Sequence, residues 1–204
     1  MFLYNNESIQ IQKLNIFGNG EIYRQIKPLI KSVNNLVCDD RINNCEKALL
    51  EDNLPVLFCV GYKNMKMRGL RYNSLKKAGI KFISFYSENS ILSSLSIIHN
   101  GVIINQGAII DNYVTIKENV FINIGAMISH DTVIGSNVFI APGVNIAGNV
   151  DVGENSFIGI NSTIIDGVKI GSNSLIAAGS VVIESVPDNT LVAGNPAIIK
   201  KFLD

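Results

Sequence analysis

The run INIGAMISHDTVIGSNVFIAPGVNIAGNV, residues 122–150, repeats its character every six residues. Ile122, Ile128, Ile134, Ile140 and Ile146 mark the repeat, and four residues after them stand Ala126, Thr132, Val138, Val144 and Val150. Two inward positions in six match neither the 3.6 spacing of a helix nor the alternation of an ordinary strand. They match a short flat strand followed by a tight turn. Read outward from this run, an Ile or Val recurs at every sixth residue from Ile98 to Val182, fifteen hexads without an insertion. The companion column, from Val102 to Val186, holds only small or β-branched residues.

Three such hexads close one coil, so fifteen predict five stacked coils whose strands pair with the coils above and below. Gly, Asn and Asp in turns such as IGSN (134–137) and VGEN (152–155) supply the positive φ angles those corners need. The tail VPDNTLVAGNPAIIKKFLD (186–204) reads as the cap: Pro187 and Pro196 stop the repetition and Gly194-Asn195 turns the chain.

Residues 1–96 follow a different rule, alternating β and α. KLNIF (13–17), NLVCD (35–39), LPVLFCVG (54–61) and KFISFY (81–86) read as four strands of a small parallel sheet. Helices are predicted from Gly20 to Val33, with Pro28 kinking the first or shortening it at Lys27, and from Lys63 to Ala78, with Gly79 as the stop. The expected architecture is a small Rossmann-like parallel α/β domain, residues 1–96, followed by a parallel β-helix domain, residues 97–204.

The 17 basic and 17 acidic residues cancel, so no long-range field draws the chain to nucleic acid or to an anionic membrane. The opening stretch breaks its apolar residues with Asn, Glu, Gln and Lys, which reads as a soluble, cytoplasmic protein without a membrane span. Cys38, Cys45 and Cys59 show no CxxC spacing and no His partners, so buried free thiols are expected and no metal site.

Three strand ends of the first domain line up as one ligand crevice. Gly18-Asn19-Gly20 follows the first strand and opens a helix, Asp39 and Asp40 end the second, and Gly61 and Lys63 follow the third. Backbone N–H groups, carboxylates able to meet a ribose or a base N–H, and a lysine able to meet a phosphate suit a nucleotide sugar. Read alone, the glycine loop is also accounted for by a structural turn, and it lacks the third glycine of a dinucleotide fingerprint. Of the two histidines, His130 stands two residues after inward Ile128, at a strand end pointing out of the coil. Acyl transfer near neutral pH calls for such a base, whereas a solvated turn residue is the plainer alternative. His99, at the entry to the first coil, reads as a structural capping residue.

The stretches GNGE (18–21), CDD (38–40), VGYKNMKMR (60–68), INIGAMISHD (122–131) and VPDNTLVAGNPAIIKK (186–201) occur together and in this order. Their combination resembles the sialic-acid and bacillosamine type of sugar O- and N-acyltransferases, a hexapeptide-repeat family, over essentially the whole chain. Nearest in pattern are the N-acetyltransferases of nucleotide-linked 4-amino-4,6-dideoxy sugars. The resemblance implies a left-handed β-helix, acetyl-CoA as cosubstrate, no metal, a homotrimer with active sites between neighbours, and a dTDP- or UDP-linked amino sugar used in surface glycan or O-antigen synthesis. It places the general base on His130 with Asp131 holding the imidazole. It places the nucleotide sugar against Gly18, Asn19, Gly20, Asp39, Asp40, Gly61, Lys63 and Asn123, and the acetyl-CoA arm along Phe139, Ile160 and Ala178. Many relatives carry a second histidine where this chain has Phe139, which leaves the oxyanion donor unassigned.

Two readings compete with the N-acetyltransferase. An O-acetyltransferase acting on a sugar hydroxyl shares every motif, and a non-catalytic nucleotide-sugar-binding scaffold shares the fold. A metal-dependent hydratase is disfavoured, because a single outward histidine per chain does not make a three-histidine site without exact threefold placement.

Overall fold

All thirty positions of the two inward columns are buried: the aliphatic column from Ile98 to Val182 and its companion from Val102 to Val186. Each buried Ile or Val contributes about 1.5–3 kcal/mol by leaving water, and here they stack directly on one another. The computed structural model, which describes residues 2–4, 7–9, 14–18, 20–29, 37–38 and 45–203, folds this stretch into a parallel β-helix of three faces: the first runs through Ile103–Ile104 and Phe121–Ile122, the second through Ile109–Ile110 and Met127–Ile128, the third through Thr115–Ile116 and Val133–Ile134. Partner residues on adjacent strands are 18 apart, as Phe121 with Phe139 and Ile110 with Ile128. The turns between faces place the fourth residue of the hexad in the left-handed region, as at Asn119, Asp131, Asn137 and Asn149, where Asn and Asp are tolerated. The hydroxyls among the inward residues are satisfied, Ser156 donating to the Gly171 carbonyl at 2.8 Å and Thr132 to that of Ala147 at 3.1 Å.

Before the hexads the described residues form β1 (Phe2–Tyr4), β2 (Glu7–Ile9), β3 (Asn15–Phe17), α1 (Glu21–Ile26), β4 (Val37–Cys38), α2 (Cys45–Asp52), β5 (Val56–Phe58), α3 (Met65–Lys77) and β6 (Ser84–Tyr86). β4, β3 and β5 form a parallel three-stranded sheet in that order. α1 ends at Ile26, where a 3-10 turn over Lys27–Leu29 takes in Pro28, as expected of a residue that cannot continue the helix. α3 is capped by the Asn64 side chain, which accepts from the Met67 N–H at 2.9 Å, and it stops before Gly79 at φ +96°.

One expected strand lies elsewhere. KFISFY does not add a fourth strand to the small sheet: Phe82 only bridges Val56, and β6 runs parallel to Ile103–Ile104 as the first strand of the β-helix. The hexad register continues backward through Leu92 and Tyr86, which an Ile-or-Val rule passes over although both occupy the aliphatic column. Coil-to-coil pairing therefore starts at Phe85, and the second face carries six strands, one more than the predicted five coils. At one end β1 pairs antiparallel with β6; at the other, Thr190–Gly194 and Ala197–Phe202 form an antiparallel hairpin, a pairing the sequence did not predict, across the turn expected at Gly194-Asn195.

Helix α3 joins the small domain to the β-helix. The corner between the third and first faces carries an asparagine ladder, Asn119, Asn137, Asn155 and Asn173, linked amide to amide at 2.8, 2.8 and 3.2 Å. Arg68 of α3 is buried against it, donating to the Asn119 carbonyl at 2.7 Å, to the Asn137 amide oxygen and to the Val60 carbonyl at 3.1 Å. Burial pulls the guanidinium down to about 9, which leaves it charged at neutral pH.

Candidate active site

Two features stand on different sides of the β-helix. The first is a cleft of about 480 Å³ between the small domain and the first face. Its walls come from Gly20 and the start of α1, the Val60–Asn64 loop after β5, the α3 residues Met67, Arg68 and Arg71, and Phe139. Arg24, Lys63 and Arg71 give it positive charge, opposed among its lining residues by Glu21 alone.

Gly18 stands behind this cleft at φ +102°, where an added Cβ would lie 2.6 Å from the Cys59 carbonyl carbon, so only glycine fits. Gly20 and Gly61 have open space where a Cβ would point, which leaves their backbone accessible from the cleft. The first face behind the cleft is a column of stacked rings, Phe121 on Phe139 at 4.8 Å and Phe139 on Phe157 at 5.4 Å. Tyr62 lies over that column, 4.5 Å from Phe139, and so fixes the loop that carries Gly61 and Lys63. Cys59, just before it, is buried, and burial pushes its thiol up.

The second feature is the corner between the second and third faces. His130 and Asp131 occupy its turn, and Asp131 Oδ2 lies 2.9 Å from His130 Nδ1. Asp131 has φ +57°, a conformation that brings the carboxylate back beside the preceding ring. Both side chains are about half exposed, at 52% and 53%. The corner is held coil to coil by backbone hydrogen bonds, Asp131 N–H to the Asn112 carbonyl at 3.2 Å and Asn149 N–H to that of His130 at 3.0 Å. With Nδ1 engaged, Nε2 is the ring atom left for an incoming group.

The residues singled out in sequence are thus only partly gathered. Gly20, Gly61, Lys63 and Phe139 line one cleft, with Gly18 behind it. Asn123 lies at the end of the first face, bonded to Asn105 at 3.3 Å, and is not among the cleft residues. Ile160 and Ala178 stack one coil apart on the corner between the first and second faces, away from Phe139. Asn19, Asp39 and Asp40 lie outside the described residues. His99 is exposed, and its carbonyl accepts from Ser84 at 3.1 Å. Arg24, Tyr62, Met67 and Arg71 escaped the sequence reading, since nothing in their spacing separates them from ordinary surface residues of a helix or loop.

A family model described as bacterial transferase hexapeptide (six repeats) matches residues 113–148 and again 149–184. Over 96% of this chain and 100% of the other, with 25% identity and a TM-score of 0.83, the fold superposes on a mutant of GDP-perosamine N-acetyltransferase from Caulobacter crescentus, solved with CoA and GDP-perosamine. The chain is an acyltransferase on a β-helix of hexapeptide repeats. The acyltransferase is also 26% identical to the acetyltransferase domain of PglB from Neisseria gonorrhoeae, with a TM-score of 0.81 over 93% of this chain and 100% of that one. The complex of that domain with acetyl coenzyme A gives a TM-score of 0.82 at 25% identity, over 92% of this chain and 98% of that one. No curated protein sequence matches the acyltransferase. Among the described residues, no helix is long and apolar enough to cross a membrane, and no three His, Cys, Asp or Glu side chains group to hold a metal ion.

Proposed function

We propose that this acyltransferase moves an acetyl group from acetyl-CoA to the 4-amino group of a nucleotide-linked 4-amino-4,6-dideoxy sugar, in the cytoplasm, for surface glycan synthesis. The observation that carries the reading is the His130–Asp131 pair, 2.9 Å apart on an exposed corner of a hexapeptide β-helix. The full-length likeness to a GDP-perosamine N-acetyltransferase and to an acetyl-CoA-binding domain supports it.

Lys63, Arg24 and Arg71 suit the diphosphate of a nucleotide sugar, and Gly20 and Gly61 let it approach the backbone. His130 Nε2 takes a proton from the neutral sugar amine as the nitrogen bonds to the thioester carbonyl carbon. Asp131 holds the Nδ1–H tautomer and stabilises the imidazolium. The carbon–sulfur bond breaks, and the imidazolium returns its proton to the departing thiolate, giving the acetamido sugar and CoA thiol. The general base contributes about 10²–10⁴-fold.

The cleft opens on the first face and His130 stands on the corner across the β-helix from it, so one chain does not hold both halves of the reaction. The second face, next to His130, exposes Ile91, Ile109 and Met127, the kind of apolar surface that a like subunit covers. Sites formed between copies in a homotrimer account for both observations.

The test is CoA-thiol release from acetyl-CoA with UDP-, dTDP- and GDP-linked amino sugars, for the wild type and His130→Ala. Turnover of a 4-amino sugar that drops at least about 100-fold in His130→Ala is expected. Turnover of no amino sugar overturns the acceptor, and an unimpaired variant overturns the base.

A further inference from the structure

His130, Gly148 and Asp166 are 18 residues apart and occupy the same turn position on three successive coils of one corner. A Cβ built on Gly148 would lie 2.5 Å from His130 Cε1, 2.8 Å from Nε2 and 3.0 Å from Asp166 Oδ1. The Nε2 edge of the imidazole and the Asp166 carboxylate therefore border one small space above the Gly148 backbone. Nε2 and Asp166 Oδ1 are therefore no more than 5.8 Å apart, a span that one nitrogen placed between them, clear of the Gly148 backbone, bridges with a hydrogen bond to each.

We propose that Asp166 selects the acceptor, its carboxylate holding the substrate's ammonium group beside His130 Nε2 so that an amine is preferred to a hydroxyl. The inference rests on the N-acetyltransferase reading and adds a residue that the reading does not use. Asp131 already occupies Nδ1, so a second carboxylate on the opposite edge of the ring has no orienting task toward the ring itself. Asn149 Nδ2 donates to Asp166 Oδ1 at 3.3 Å, which holds the carboxylate on the corner and leaves it a strong acceptor. A groove of about 310 Å³ on the second face runs up to this point, lined by Met127, Ser129, Asn145, Ala147, Ile165 and Asp166. Asp166 is the only carboxylate in that lining, so an ammonium entering beside His130 meets its counter-charge there, whereas a neutral hydroxyl gains only an ordinary hydrogen bond. The ammonium releases one proton to solvent before attack, and the second passes to His130 as the carbon–nitrogen bond forms.

The experiment is steady-state kinetics of wild type, Asp166→Asn and Asp166→Glu with the amino sugar that turns over and with its hydroxyl counterpart on the same nucleotide. Expected for Asp166→Asn is a KM for the amino sugar raised about tenfold or more, kcat changed less than about threefold, and a lower amine-to-hydroxyl preference, with Asp166→Glu in between. As a readout free of turnover, amino-sugar binding to His130→Ala is expected to weaken about tenfold when Asp166→Asn is added. Wild-type KM, binding and preference in Asp166→Asn, in a protein whose wild type acetylates the amino sugar, overturn this inference alone. A wild type that acetylates no amino sugar overturns it together with the reading beneath it.

Discussion

At Gly148 the space for one methyl group decides where His130 lies. The backbone there is not in the left-handed region, so the demand for glycine is one of room and not of conformation. Gly148→Ala would place a carbon 2.5 Å from His130 Cε1 and turn the ring out of its place. We expect it to lower kcat/KM roughly 10- to 100-fold with a melting temperature close to wild type, since misplacement of a catalytic group by about 1 Å costs that much; comparing kinetics with thermal melts checks it. A second expectation concerns Cys59, buried and with its thiol pushed up. In native protein treated with iodoacetamide, the peptide containing Cys59 should stay unmodified until denaturant is added, as peptide mass spectrometry would show. At this scale His130 and Asp131 were legible in the sequence, because a histidine just past an inward isoleucine must leave the coil. Gly148 and Asp166 were equally available, since any residue 18 from His130 shares its corner, but that arithmetic becomes visible only once three hexads are known to close a coil. Arg24 and Arg71 were not legible, because their place in the cleft depends on how α1 and α3 sit against the first face.

Among the elements, α3 couples the small domain to the β-helix, and its Gly69 shows how. Glycine inside a helix ordinarily costs about 1 kcal/mol relative to alanine. Here a Cβ at Gly69 would lie 2.7 Å from Asn137 Nδ2 and 3.0 Å from Asn155 Oδ1, within the asparagine ladder. Gly69→Ala should therefore destabilise the protein, reversing the usual sign, which urea unfolding followed by circular dichroism can test. Arg68→Met leaves the Asn119 carbonyl without its buried donor and the Asn137 amide oxygen with Asn119 Nδ2 alone, and a loss of about 2–4 kcal/mol is expected in the same assay. The sequence placed α3 to within two residues at its start and one at its end, because Asn64 and Gly79 are strong local signals. It misassigned β6, because three residues of β structure look alike whether they extend a parallel sheet or begin a β-helix. The ladder was written in the sequence as asparagines 18 apart, but the partner buried against them was a helix arginine indistinguishable from a solvated one.

For the whole molecule, the separation of cleft and histidine makes a prediction about mixtures. His130→Ala chains and chains crippled in the cleft by Lys63→Ala with Arg71→Ala should each be nearly inactive. Co-assembled in equal amounts they should regain about a quarter of wild-type activity, the share of neighbour contacts that pair two intact halves in a cyclic trimer. A mixture no more active than its parts would mean that each chain works alone. Light scattering on the same sample should give about three times the 22.2 kDa chain mass. The three-faced winding, with partners 18 residues apart, also sets how the gene can change in length. Losing six codons between Asp131 and Gly148 would turn everything downstream by about 120° and carry Asp166 to another corner, as follows from three hexads per coil. Losing eighteen between Asp131 and Asp166 would keep every later residue on its own face, one strand spacing of about 4.8 Å nearer, and would bring Asp166 directly beneath His130. Viable length variants of this enzyme should differ in steps of one whole coil, and the stretch from His130 to Asp166 is where even such a step should abolish the reaction.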